Sequence, residues 1–141
     1  MTTNSHNELS DIDLEKILGF ALSEQQLNAV KAPREPAVMV AGAGSGKTTS
    51  MSARIAFLIG SGYVTPEQVL GLTFTTKATA QLLDSARSRI AELARLYPQD
   101  FDTDAGDPFI LTYNSFASGI VKEFGALLGR DFSADVLTDG A

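Results

Sequence analysis

The sequence predicts an α/β fold in which helices flank a parallel sheet, and three observations support that class. Short apolar runs alternate along the chain with longer segments in which apolar residues recur at helical spacing. The run over 69–75 is apolar on both of its alternating faces, which is typical of a strand covered by helices on both sides. The resulting order of strand, helix, strand, helix, strand and helix is the order that builds parallel sheets.

The first part of the chain is expected to hold two short helices and the first strand. Residues 1–9 are polar and are expected to be disordered. Helices are predicted over 11–18 and 22–30, and the prolines that follow end the second helix. The apolar run over 37–40 is predicted to be the first strand. We divide the chain into a tail with a short helix, 1–19, and a domain over 20–141.

The remaining elements alternate in the same way. A helix that carries Ile55, Leu58 and Ile59 follows a glycine-rich segment and is expected to stop at the Gly-Ser-Gly sequence of 60–62. The later predicted elements are a capped turn at 65–67, a second strand over 69–75, a long helix over 77–96, an acidic loop over 97–108, a third strand over 109–112, a helix over 115–128 and a fourth strand over 132–137.

Composition excludes several classes of function. Of the 141 residues, 44% are hydrophobic and 20% are charged, which is ordinary for a globular chain. The absence of cysteine excludes disulfides, thiolate zinc sites and cysteine nucleophiles, and the only histidine, His6, lies in the polar tail, so a Ser-His-Asp triad has no support. The net charge of −6 argues against a broadly basic surface for nucleic acid. No stretch reaches the ~20 apolar residues of a membrane span and no signal peptide is recognisable, so we expect a cytoplasmic protein.

Residues 41–48 have the pattern of a phosphate-binding loop, because they read Ala-Gly-Ala-Gly-Ser-Gly-Lys-Thr behind a predicted strand. Small residues let successive backbone N–H groups curl around a phosphate, and the next helix presents its partly positive N-terminus to the same anion. Lys47 can reach the β- and γ-phosphates, and the Thr48 hydroxyl can ligate Mg²⁺. Ala41 stands where the strict pattern has its first glycine. A dinucleotide loop fits less well, because Lys47 stands where that motif needs glycine.

Two other patterns allow more than one interpretation. Ser23 and Gln26 have the spacing of a capping box, but the amide of Gln26 also suits the edge of an adenine. The aspartates at 100, 102 and 104 suggest a calcium loop. Ala105 and Leu111, however, stand where that loop needs glycine and glutamate. A solvated connection is therefore the better interpretation of the acidic loop.

Polar and aromatic residues lie where the second and third predicted strands end and the next helices begin. The carboxyl ends of parallel strands open on one edge of a sheet, so these residues should border the same crevice as the phosphate-binding loop. Their hydroxyl and ammonium groups suit the phosphates of a nucleic acid, and Phe74 suits stacking on a base. Helix capping by threonine and serine explains the pattern equally well. The candidate nucleic-acid residues are Phe74, Thr75, Thr76, Lys77, Tyr113, Asn114 and Ser115.

Four segments together resemble the opening of the UvrD/Rep-type helicases of superfamily 1. Residues 22–30, 41–48 and 72–80 match, in order and spacing, that family's glutamine motif, Walker A motif and motif Ia, and 112–116 looks like motif Ib. The resemblance implies an incomplete RecA-like P-loop NTPase fold, ATP and Mg²⁺ as cofactors and single-stranded DNA as partner. It implies ATP-driven 3′–5′ translocation and unwinding by the parent protein. Thr49, Thr76 and Asn114 replace the usual arginine, asparagine and histidine of the family.

The resemblance also assigns roles to residues. It makes Lys47 and Thr48 catalytic, with Thr48 as the Mg²⁺ ligand. The implied nucleotide-binding residues are Gln26, Ala41, Gly42, Ala43, Gly44, Ser45, Gly46, Lys47 and Thr48. The family's acidic Mg²⁺-binding motif is not recognisable, so we expect an N-terminal part of the first motor domain that binds nucleotide without unwinding DNA. The alternatives are a non-catalytic DNA-binding or regulatory remnant and another P-loop NTPase; the sequence does not indicate an oligomeric state.

Overall fold

A computed structural model describes residues 7–44, 46–101 and 104–129. The elements are helices α1 (Asp11–Leu18), α2 (Glu24–Val30) and α3 (Lys47–Gly60), strand β1 (Leu70–Thr73), helix α4 (Thr76–Leu96), strand β2 (Phe109–Thr112) and helix α5 (Tyr113–Phe124), with 3₁₀ turns over Pro66–Gln68 and Gly125–Leu128. The strand predicted over 132–137 lies outside the described residues. Among the described helices, none is long and apolar enough to cross a bilayer.

Strands β1 and β2 form a parallel pair, as predicted for the second and third strands. Leu70 lies opposite Phe109 at one end of the pair and Thr73 lies opposite Thr112 at the other. Helix α4 provides the long crossover that a parallel connection requires. Because the two strands end level, the residues that follow Thr73 and Thr112 emerge at the same edge of the sheet.

The two faces of the sheet are buried to different extents. On one face Ile110 is 5% exposed and belongs to the same core cluster as Leu82 of α4. Leu70 and Phe109 are 50% and 56% exposed. The prediction that helices cover both faces is therefore wrong for the part of the chain that the structure describes.

The core lies mainly between α1, α3 and α4. Leu14 and Ile17 of α1 are each 1% exposed, and Leu93 of α4 is fully buried. Helices α3 and α4 approach closely at Gly60, where a Cβ would lie 2.9 Å from Leu93 Cδ2. Tyr97, just after α4, donates a hydrogen bond of 2.8 Å to Asp13 Oδ1 and so ties α1 to the end of α4.

The run 37–40 is not a strand, so the predicted first strand is wrong for this structure. The two strands of the described chain pair with each other and not with this run. Its Val38 and Val40 are 89% and 93% exposed. Apolar, β-branched residues favour extended backbone, but a strand also needs a neighbour that bonds its N–H and C=O groups.

Helix boundaries depart from the predicted ones by a few residues. Helix α4 begins at Thr76 because the side chain of Thr75 caps it. Helix α5 begins at Tyr113, two residues earlier than predicted, because Thr112 accepts the N–H of Ser115 at 3.1 Å. The last predicted turn of that helix, over Gly125–Leu128, is a 3₁₀ turn instead. Capping side chains thus set the starts of both helices.

Candidate functional site

The glycine-rich segment turns the chain into α3. Gly44 and Gly46 have φ values of 74° and 83°, in the left-handed region that other residues rarely adopt. Gly46 is the N-cap of α3, and no described side chain caps the helix there. The N–H groups of the first turn and the helix dipole therefore face an uncapped end, which is an arrangement suited to an anion.

Lys47 and Thr48 are the first two residues of α3, and both are exposed. Within the described ranges neither side chain forms an ion pair or a hydrogen bond. An ammonium group and a hydroxyl group thus stand at the positive end of the helix. Ser45, which precedes them in the predicted loop, lies outside the described residues.

A groove with a volume of about 1010 Å³ opens beside this helix end. Residues from α2, from the run 37–42 and from α3 line it, among them Gln26, Lys47 and Arg54. The lining residues do not include any of 74–77 or 113–115. The structure therefore brings Gln26 together with the residues at the start of α3, but it does not bring the strand-end residues into the same groove.

Arg54 is a groove residue that the motif analysis missed. Its guanidinium donates to the backbone oxygens of Val30 and Ala32 at 2.8 and 2.6 Å, which fastens the end of α2 to α3. Its spacing in the sequence could have identified it, because Arg54 is seven residues after Lys47 and so lies on the same face of α3. Its carbonyl partners could not be inferred from sequence, since they depend on how the helices pack.

Gln26 combines two roles in the geometry. Its backbone N–H donates to Ser23 Oγ at 3.2 Å, and the N–H of Ser23 donates to Gln26 Oε1 at 3.0 Å, so the capping box is present as the spacing predicts. The other amide atom, Nε2, faces the start of α3, because a Cβ added to Gly46 would lie 2.9 Å from it. One side chain therefore caps α2 and occupies the space beside the glycine that caps α3.

Phe74 and Tyr113 form an exposed aromatic pair at the edge where the strands end. Their ring centroids are 5.1 Å apart, with 32° between the ring planes. Phe74 is 89% exposed and Tyr113 is 49% exposed. The pair exists because β1 and β2 end level with each other, and it presents a broad ring face to solvent.

The polar residues at this edge divide into two groups. Thr75 Oγ1 accepts the N–H of Ala78 at 3.0 Å, and Thr112 Oγ1 accepts the N–H of Ser115 at 3.1 Å. These contacts confirm that capping occurs in both segments. Exposed side chains outside those caps are Thr76, Lys77 and Asn114.

The acidic loop is tied to α4 by an ion pair. Arg87 donates two hydrogen bonds to Asp107 Oδ2, at 3.0 and 2.6 Å. The bond from Arg87 holds the pKa of the Asp107 carboxyl below its usual value. Among the described residues there is no group of three or more histidine, cysteine or acidic side chains that could hold a metal ion.

Comparison with known proteins places these features in context. A family model described as the UvrD/REP helicase N-terminal domain matches residues 22–139. The ATP-dependent DNA helicase UvrD1 of Mycobacterium leprae is 33% identical over 129 residues, which are 92% of this chain and 15% of that protein. For UvrD2 of Mycobacterium tuberculosis the identity is 47% over 72 residues, 51% of this chain and 10% of that protein. DNA helicase II of Escherichia coli is 33% identical over 114 residues, which are 79% of this chain and 14% of that protein. The chain thus spans 10–15% of the length of these relatives.

Proposed function

Because the chain belongs to the UvrD/REP helicase N-terminal domain family, we propose that it is the ATP-binding part of an ATP-dependent DNA helicase motor. We infer a RecA-like P-loop fold for the complete domain, with 3′–5′ translocation on single-stranded DNA and unwinding by the parent protein. The observation that carries the proposal is the exposed Lys47 at the uncapped start of α3, beside a groove that also contains Gln26.

The start of α3 supplies what a nucleotide's phosphates require. The β-phosphate would accept hydrogen bonds from the first-turn N–H groups behind Gly46, and the Lys47 ammonium would neutralise charge on the β- and γ-phosphates. The groove is at the upper end of the volumes that enclose small ligands, which leaves room for the base and ribose. Gln26 lines that groove and is the proposed contact to the base.

The hydroxyl group of Thr48 is suited to bind Mg²⁺. Mg²⁺ prefers hard oxygen ligands and keeps several waters, so one protein oxygen together with phosphate oxygens suits it. The Thr48 hydroxyl is such an oxygen, and it is exposed beside Lys47. When bound, Mg²⁺ would reduce repulsion between phosphate oxygens. The chain's own contribution is to hold the phosphates in one orientation through Lys47 and the helix N-terminus.

The strand-end edge is the proposed contact to single-stranded DNA. The Phe74–Tyr113 pair offers a stacking face that any base can use, because every base has a π-face. Lys77, Thr76 and Asn114 are placed nearby in the chain to contact backbone phosphates. The net charge of −6 leaves few cations for DNA, so we expect weak binding that falls as salt rises.

Calorimetric titration with Mg-ADP and Mg-ATP tests the nucleotide part of the proposal. Lys47→Ala removes a charge-assisted contact worth roughly 1.5–3 kcal/mol, so we expect a loss of affinity of about ten- to hundredfold. Lys122→Ala, which removes an exposed lysine from α5, is the matched control and should bind as the wild type does. Equal affinities for the two variants would show that the nucleotide does not use this helix end.

A further inference from the structure

The orientation of the Gln26 amide follows from its hydrogen bond to Ser23. The backbone N–H of Ser23 is a donor and needs an acceptor, and of the two amide atoms only Oε1 can accept. The opposite atom, Nε2, must therefore face the start of α3. The capping box thus does more than end a helix, because it also fixes which atom of Gln26 meets Gly46.

Gly46 is the backbone position on which the phosphate end of α3 depends. Its φ of 83° is left-handed, and its carbonyl oxygen accepts the N–H of Ser50 at 2.9 Å as the first bond of the helix. The Gln26 amide lies 2.9 Å from where a Cβ on Gly46 would be, so it fills the space beside this glycine. The Gln26 amide therefore leaves little room for Gly46 to move toward α2.

We propose that Gln26 is a positioning residue for the phosphate-binding end of α3, acting through Gly46 and independently of any contact with a base. By holding Gly46, it keeps the first-turn N–H groups aligned before a ligand arrives. This inference rests on the proposed function of the groove as a nucleotide site. A positioning role can be distinguished from a contact to adenine alone by measurement. A positioning residue contributes to the binding of a polyphosphate that has no base, whereas a residue that contacts only adenine does not.

The test compares Mg-tripolyphosphate with Mg-ATP in calorimetric titrations of the 141-residue chain. Gln26→Ala is expected to lower the affinity for tripolyphosphate by about tenfold, the order expected when a ligand must order one backbone residue, and the affinity for ATP by at least as much. Asn28→Ala is the matched control, because Asn28 also carries a side-chain amide, lies exposed on the same helix and does not line the groove. Ser23→Ala weakens the cap but keeps the backbone N–H that holds Gln26, so both ligands should bind it with nearly wild-type affinity.

A second measurement needs no ligand. In ¹H–¹⁵N spectra of the ligand-free chain, Gln26→Ala is expected to shift the amide resonances of Gly46 and Lys47, whereas Asn28→Ala leaves them in place. Unchanged resonances would contradict the inference whatever the nucleotide affinity. A loss confined to ATP would assign Gln26 to the base and overturn the positioning role. Failure of Lys47→Ala to weaken either ligand would instead count against the proposed nucleotide site itself, so the two failures are distinguishable.

Discussion

Replacement of Phe74 by alanine is expected to weaken the binding of single-stranded DNA much more than it weakens the fold. The ring is 89% exposed, so its removal exposes little surface that was buried. Its one described ring contact is with Tyr113, at a centroid distance of 5.1 Å. Phe74→Ala therefore removes a stacking surface while leaving the sheet and its helices intact.

Phe74→Ala is expected to change DNA affinity and stability by different amounts. Stacking of a base on an aromatic side chain is worth ~1–3 kcal/mol, which corresponds to a loss of affinity of about 5- to 150-fold. An aromatic pair is worth about 0.5–1.5 kcal/mol in a fold, and the lower end applies here because both rings are well exposed. We therefore expect a large change in DNA affinity and a change in the free energy of unfolding of about 0.5 kcal/mol.

Phe109→Ala is the matched control. Phe109 is also an exposed phenylalanine, at 56%, but it pairs with Leu70 at the opposite end of the sheet. Fluorescence anisotropy with a labelled oligonucleotide measures both variants at low salt, where weak electrostatic binding is strongest. Urea denaturation measures their stability. If both substitutions reduce DNA affinity by the same factor, the proposed DNA edge is wrong.

Three further predictions concern the loop, the groove and the packing of α1. Gly46→Ala forces a left-handed alanine against Gln26, so we expect a loss of about 1–2 kcal/mol in the free energy of unfolding, measured by urea denaturation, together with weaker Mg-ADP binding. Arg54→Ala removes the guanidinium that holds the end of α2, and we expect a loss of about 1–3 kcal/mol in the same assay. Burial and the bond to Asp13 raise the pKa of Tyr97 from 10.0 to about 12. Protonated tyrosine is therefore favoured by the fold, and its stabilisation is complete below pH 10 and lost as pH rises through 12. Tyr97→Phe should show a smaller loss of stability than the wild type between these pH values.

Controls are available for each of these changes. Gly42→Ala should be tolerated, because a Cβ at Gly42 meets nothing within 4 Å. Arg95→Ala removes an exposed arginine that is paired with Glu92, and it should cost far less stability than Arg54→Ala. If Gly42→Ala lowered stability as much as Gly46→Ala, or Arg95→Ala as much as Arg54→Ala, the contacts assigned to Gly46 and Arg54 would be wrong. Equal pH slopes for the wild type and Tyr97→Phe would show that the tyrosine is not the group that titrates.

Local signals in the sequence predicted most of the fold. Ser23 and Gln26 mark the start of α2, and the Gly-Ser-Gly sequence that begins at Gly60 marks the end of α3. Both signals act within a few residues, so they can be recognised without knowledge of packing. The strand over 37–40 failed as a prediction because a strand depends on a partner elsewhere in the chain, and Val38 and Val40 are exposed without one among the described residues.

In the candidate site, too, local features were predictable from the sequence and contacts between distant residues were not. The phosphate-binding pattern is contiguous, so the sequence predicted a curled glycine-rich loop and a helix that begins near Lys47, and the structure adds the left-handed φ values of Gly44 and Gly46. The contact between Gln26 and Gly46 and the pairing of Phe74 with Tyr113 join distant parts of the chain. Their side chains were identified as candidates one by one, but their contacts depend on helix packing and strand register.

Mapping of Mg-ADP binding by ¹H–¹⁵N chemical shifts is the decisive measurement for the proposed nucleotide site, because it locates the nucleotide on the described chain. We expect the largest shifts on the backbone amides of Gly44, Gly46 and Lys47 and on the side-chain amide of Gln26. A second cavity of about 480 Å³, lined by Arg87 and other residues of α4 and the acidic loop, is the alternative location for a ligand. Largest shifts at that cavity, with Gly46 and Lys47 unchanged, would show that the nucleotide does not bind at the start of α3.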